Sequence, residues 1–203
     1  MRKKTHIAVA AFLSRELQLE ELTKYRKSFY LGSILPDLTP SIVTEPHQFG
    51  ITFEGLKEKM QEISRISDQE EQQRSLWRNI GVILHYLADY FTFPHNDSYT
   101  GNLKDHCVYE GDLKHQMRAY VASRDAKVIF EKQCKMMTES VSLSELFENI
   151  EKAHREYMSQ GSLHTPKDDC RWILTVCSGV LLYFVNRIKN GIDLSVFGIE
   201  QAA

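Results

Sequence analysis

Residues 81–95 read GVILHYLADYFTFPH, and the reading of this run decides the fold. Leu84, Leu87 and Phe91 recur at three- and four-residue spacing, as on the buried face of a helix, and Val82, Ile83 and Phe93 would suit any core. Pro94 stops that helix, because its ring removes a backbone donor and restricts the residue before it. The same run carries His85, Asp89 and His95. A carboxylate in such an apolar setting needs a partner, since an unpaired buried charge costs several kcal/mol.

Outward from this run the pattern stays helical. Upstream, the long helix is expected from about Gln73 to Phe91, preceded by the polar junction SDQEEQQ and by a helix from about Phe53 to Ile66. The segment GSILPDLTPSIVTEPHQFG, with three prolines and two glycines, is expected to be irregular. Before it come a helix from about Leu19 to Leu31 and a first helix with Ile7, Ala10, Ala11 and Ser14 on one face. Downstream, FPHNDSYTGN is expected as loop, with a helix starting near Asp105. Ser142 and Glu145 have capping-box spacing before LFENIEKAHREYM, and Thr165-Pro166 opens a last helix. No run alternates with the period of a strand. The expectation is an all-α fold: one multi-helix domain spanning residues 1–203, with about seven to eight helices and no separate membrane-binding module.

Bulk properties narrow the function. A chain of 203 residues is long enough for one sizeable core. The net charge of −2 gives no broad basic surface, so long nucleic acids are not expected as partners. Cys107, Cys134, Cys170 and Cys177 include no CxxC pair and read as free thiols in a reducing compartment. The apolar stretch IAVAAFL is broken too early to read as a signal peptide, and WILTVCSGVLLYFV, at 14 residues, is short of a bilayer span. A cytoplasmic protein without a transmembrane segment is expected.

His85 and Asp89 are four residues apart, which places them one turn apart on one helical face, where both can meet one metal ion. Taken alone, the pair is equally a core histidine satisfied by a carboxylate. A second pair, His106 and Glu110 in DHCVYEGDL, repeats the spacing on the next helix. His95 lies between the pairs, Asp37 and His47 lie in the irregular segment, and His6 is on the first helix. Five imidazoles and three carboxylates are too many donors for one ion and suit a zinc cluster, which in turn suits phosphoester hydrolysis. His115 and His154 read as solvated, His164 as a loop residue, and Cys107 as packing rather than a ligand.

The order THxxxA, PD, a lone His, HYxxDxxxPxH and HxxxE resembles the bacterial zinc-dependent phospholipase C family, in a superfamily shared with fungal single-strand-specific zinc nucleases. By motif the resemblance covers roughly residues 1 to 110. It implies an all-α hydrolase holding two to three zinc ions. Asp37, His47, His85 and Asp89 would hold the first, His95, His106 and Glu110 the second, and His6 with Asp89 the third. Secreted members complete the third site with an N-terminal Trp; here Met1 stands five residues before His6, so its backbone amine is the expected substitute.

Two neighbouring ions would share a hydroxide, since zinc lowers the pKa of bound water to about 7. Asp37 is the expected catalytic residue, orienting or deprotonating that water. The phospholipases resembled here grip a choline head group with aromatics where this chain has Leu38 and Thr44, and Phe49, Tyr90, Phe93 and Tyr99 read equally well as core. The expected substrate is therefore a small phosphoester or phospholipid head group of open identity. A nuclease or nucleotidase, and a catalytically inactive metal-binding relative, remain alternatives.

Overall fold

In the computed structural model, residues 1–39, 47–64, 70–137, 141–161 and 164–189 are described. The helix inferred from the opening run is α4 (Glu70–Tyr90), and it lies in the middle of the fold. Trp77, Ile80, Ile83, Leu87 and Phe91 are fully buried along it or just past its end. Each large apolar side chain taken out of water there contributes about 1.5–3 kcal/mol. Before α4 come α1 (Lys3–Leu17), α2 (Glu20–Gly32) and α3 (Phe49–Ile63). After it come α5 (Leu103–Tyr120), α6 (Arg124–Met136), α7 (Leu143–Met158) and α8 (Pro166–Lys189). Among the described residues there are eight α-helices and no strand, an all-α single domain.

α4 packs against α1, α2, α3 and α8, and α8 packs against α4, α5, α6 and α7, so these two long helices form the centre of one core. By length and composition Pro166–Ile188 is apolar enough to cross a membrane, yet 67% of its most apolar window is buried inside the protein. The core is what this hydropathy serves.

The α2–α4 crossing is unusually close. A methyl added at Gly32 would collide with the Arg78 carbonyl, and one at Gly81 with the Phe29 carbonyl. Only residues without a Cβ allow backbones to approach this far. The crossing brings the end of α2, at Ser33, beside His85 on α4.

Three helix starts differ from the sequence expectation: α4 begins at Glu70 rather than near Gln73, and α3 and α5 also start earlier. α3 begins at Phe49, four residues before the expected Phe53, with the Gln48 carbonyl accepting from the Ile51 and Thr52 amides. The extra turn is held by Phe49, which stacks on Phe53 at 4.3 Å as an i, i+4 pair. α5 begins at Leu103: Asn102 caps it, and Asp105 is not the first residue but the third, returning a hydrogen bond to the Asn102 amide in a full capping box. The Ser142–Glu145 capping box stands as its spacing predicts, and Thr165 Oγ1 accepts from the Asp168 amide at the start of α8.

Candidate metal centre

α4 presents His85 and Asp89 one turn apart, both fully buried. Asp89 is the hub. Its Oδ1 accepts from the Met1 amino group at 2.6 Å and lies 3.3 Å from His6 Nε2, delivered by α1. Its Oδ2 lies 2.8 Å from His47 Nδ1, just before α3, 3.3 Å from His85 Nε2, and 3.9 Å from His95 Nδ1.

His85 is oriented from behind. Its Nδ1 is 2.9 Å from the Ser33 carbonyl, which can only accept, so the ring proton sits on Nδ1. Nε2 then carries a lone pair, aimed at His47 Nδ1 (3.1 Å), Asp89 Oδ2 and Asp37 Oδ1 (3.8 Å). Such a backbone partner on the remote nitrogen is how proteins fix the tautomer of a metal-ligating histidine. Asp37 comes from the 3₁₀ turn Pro36–Leu38 that follows α2. His6 stacks on His85 with ring centres 3.9 Å apart.

A second group lies beside the first. His95 closes the 3₁₀ turn Phe93–His95, and its Nε2 is 3.2 Å from Glu110 Oε1. His106 Nε2 is also 3.2 Å from Glu110 Oε1, one turn away along α5. The Met1 amine joins the groups, 2.8 Å from His95 Nε2 and 3.0 Å from Glu110 Oε1. The donor atoms thus form three sets, each within 4.8 Å: His6, His85 and Asp89; Asp37, His47 and His85; His95, His106 and Glu110. All eight side chains singled out in the sequence come together, and Met1 with them.

The electrostatics are those of a cation site. Burial works against an ionised Asp89, yet the Met1 amine and the rings of His95, His6 and His85 hold its carboxyl well below the usual range. Glu110 is likewise lowered against the effect of burial, by hydrogen bonds from His106 and His95 and by the Met1 amine. Burial pushes His6 down to about 3 and lowers His95, keeping both rings neutral and able to donate lone pairs. Burial raises Asp37. The Met1 amine, which burial alone would lower, is raised by Asp89 and Glu110.

The residues present fit zinc. Three carboxylates and several imidazole lone pairs converge where only a cation satisfies them, and the Met1 ammonium stands in for part of that charge. His6 Nε2 is buried without a hydrogen bond, its approach to Asp89 lacking the angle for one. Neutral imidazole and carboxylate are zinc ligands.

Three residues that are not among the candidate donors also shape the centre. Ser33 meets His85 through its backbone carbonyl, while its hydroxyl donates to the Tyr30 carbonyl. Tyr86 packs edge-on against His47 at 4.8 Å. Asp169, on α8, accepts from the Phe93 amide and the Tyr109 hydroxyl, which flank His95 and Glu110. Tyr86 is the aromatic of the HYxxD motif; nothing in the spacing of Ser33 or Asp169 marks them, because only the tertiary fold brings them near the donors.

Other expectations are corrected. His154 is not solvated: it stacks on Phe49 at 3.9 Å, pairs through Nε2 with Asn96 Oδ1 at 3.0 Å, and is pushed by burial down to about 4. Although EKAHREYM looks charged, α7 turns this position towards α3 and the loop after α4. Cys107 is exposed rather than packed, with only its carbonyl engaged, by Arg2. His164 lies outside the helices as expected, but it is buried, stacked on Phe93 and away from the donor sets. His115 is exposed, and all four cysteines are unpaired. Tyr90 and Phe93 are core, Leu38 is exposed, and Thr44 lies outside the described residues.

The structure thus joins an all-α domain to a buried His/carboxylate cluster able to hold metal ions. The model of the zinc-dependent phospholipase C family matches residues 5–163, and the chain belongs to that family. No curated protein and no solved structure matches the chain.

Proposed function

We propose that this family member is a zinc-dependent phosphoric ester hydrolase that cleaves a phosphodiester, with a small phosphoester or phospholipid head group as substrate. One observation carries the reading. The donor sets are not separate: His85 belongs to two of them, and Asp89 reaches His6, His47, His85 and His95. A structural zinc site closes four ligands around one isolated ion, whereas joined sets that share ligands, one of them with only three donors, leave room for water and substrate.

Asp37, His47, His85 and Asp89 would hold one zinc ion, and His95, His106 and Glu110 a second. His6, Asp89 and the Met1 amine would hold a third, once the amine has given up its proton. When bound, these ions supply a nucleophilic water at neutral pH and positive charge for the phosphoryl oxygens. The chain does the rest. The Ser33 carbonyl keeps the His85 lone pair aimed inward. Asp89 and Glu110, ionised in the metal-free chain, supply the negative charge that draws the cations in. Asp37, on a turn rather than a rigid helix, orients the attacking water and accepts its proton. The unpaired cysteines support a reducing, cytoplasmic setting.

The test is zinc content by plasma mass spectrometry, with hydrolysis of bis(p-nitrophenyl) phosphate and short-chain phosphatidylcholine. The expected result is two to three zinc ions per chain and turnover of a phosphodiester. Asp37→Asn should keep most of its zinc and lose turnover by about 10²–10⁴-fold, the usual weight of a general base. A wild-type protein that binds zinc but cleaves neither probe would favour a metal-binding relative without turnover. Undiminished hydrolysis by Asp37→Asn would remove Asp37 from the chemistry.

A further inference from the structure

α8 begins beyond the residues matched by the family model, and none of the candidate ligands lies on it. It nevertheless reaches the second donor group through Asp169, whose side chain is fully buried. Asp169 Oδ2 accepts the Phe93 backbone N–H at 3.1 Å and the Tyr109 hydroxyl at 2.8 Å. Oδ1 accepts the Tyr157 hydroxyl at 2.9 Å. Phe93 opens the turn that ends in His95, and Tyr109 immediately precedes Glu110 on α5. One carboxylate oxygen therefore ties the segment bearing His95 to the helix bearing His106 and Glu110.

Asn96, which follows His95, ties the turn back to the Tyr90 and Thr92 carbonyls, whereas Asp169 ties it to α5. His95 stands on a three-residue 3₁₀ turn, which cannot fix a side chain by its own hydrogen bonds. His164 stacks on Phe93 at 4.5 Å and meets Tyr157 at a tilt at 4.2 Å, packing the clamp from the side. A buried carboxylate is costly unless its lone pairs are engaged, and here three donors engage them.

We propose that Asp169 is a positioning residue that holds His95 in register with His106 and Glu110 so that the three bind one zinc ion. The proposal rests on the zinc reading above, but it predicts a site-selective effect that the reading does not. Loss of an outer-shell partner typically costs 10–100-fold in metal affinity.

The experiment measures zinc stoichiometry and affinity of the full-length chain by competition with a chromophoric chelator, alongside thermal unfolding of the metal-free protein. Asp169→Asn places an amide N–H₂ among three donors; Tyr109→Phe removes a single hydroxyl and keeps the ring, should the first variant fail to fold. Both should weaken one zinc ion by about 10–100-fold and leave the others unchanged. Tyr157→Phe removes the link from Asp169 to α7, which carries no candidate ligand; it should lower the melting temperature and leave every zinc affinity unchanged. In a His106→Ala background, Asp169→Asn should cause no further loss of zinc, because the site it serves is already gone. Wild-type zinc affinities in both Asp169→Asn and Tyr109→Phe would overturn the clamp and leave the proposed hydrolase standing. Equal weakening of all ions would also overturn it, in favour of a general structural role. A wild-type chain that takes up no zinc would overturn both.

Discussion

A neutral imidazole carries one proton, so its two nitrogens point in chemically different directions. His85 uses this: its Nδ1–H donates to the Ser33 carbonyl and leaves Nε2 to face the carboxylates. His154 uses it differently, giving its Nε2 proton to Asn96 Oδ1, whose amide nitrogen already donates to the Tyr90 and Thr92 carbonyls. Burial lowers His154 to about 4, only partly opposed by the Tyr90 carbonyl. Its folded-state value lies below the ordinary 6.5, so between those limits the unfolded chain binds a proton that the folded chain excludes. The stability is present above pH 6.5 and is lost as pH falls towards 4, by about 3 kcal/mol in all. Urea unfolding of the metal-free protein should therefore be steeper in pH for wild type than for His154→Gln across this window, by up to about 1.4 kcal/mol per pH unit. Parallel pH profiles would show that His154 does not titrate this way. At this scale the sequence is legible where one helix converts spacing into proximity, as for His85 with Asp89 and His106 with Glu110. It is silent on Ser33 and Asp169, whose roles depend on which segments the fold brings to face them.

Among the elements, the α2–α4 crossing decides most. Gly81 opens the run first singled out, and its missing Cβ lets α4 lie against the Phe29 carbonyl of α2. Gly81→Ala should force the helices apart, costing about 1–3 kcal/mol as an overpacked contact does. It should also draw the Ser33 carbonyl away from His85 and lower zinc uptake. Denaturant titration and metal analysis of the same preparation check both, and an unchanged midpoint with full zinc content would show that the crossing tolerates a methyl. Helix existence and type could be read from apolar period, because burial on one face is a local requirement. The starts of α3 and α5 could not. The beginning of α3 depends on an aromatic pair, Phe49 with Phe53, and that of α5 on a cap that shifts Asp105 inward to the third position.

For the whole molecule, the candidate ligands come from six separate segments between Met1 and Glu110, so the unfolded chain offers no comparable site. Zinc should then bind the native state alone and stabilise it by mass action, by about 2.7 kcal/mol at a free concentration 100 times the dissociation constant. Chelation should lower the melting temperature and added zinc should restore it; a melting temperature indifferent to both would mean that the cluster is held together without metal. The all-α class was legible at this scale because every strong apolar pattern has the helical period. The burial of α8 was legible too, since its apolar run from Trp172 to Val185 is short of a bilayer span and suits a core helix; which helices it packs against was not, because that depends on the tertiary fold.

The placement of α8 bears on how such a protein is made. A chain emerging from the ribosome presents all of its candidate ligands within the first 110 residues, well before α8 is synthesised. Asp169 and the central helix that completes the core arrive later. Domains fold as units, and here the early part lacks both its core partner and its clamp. On the proposed zinc reading, a nascent chain can therefore meet the metal before it can hold it, and capture of the full complement of ions waits for the synthesis of α8.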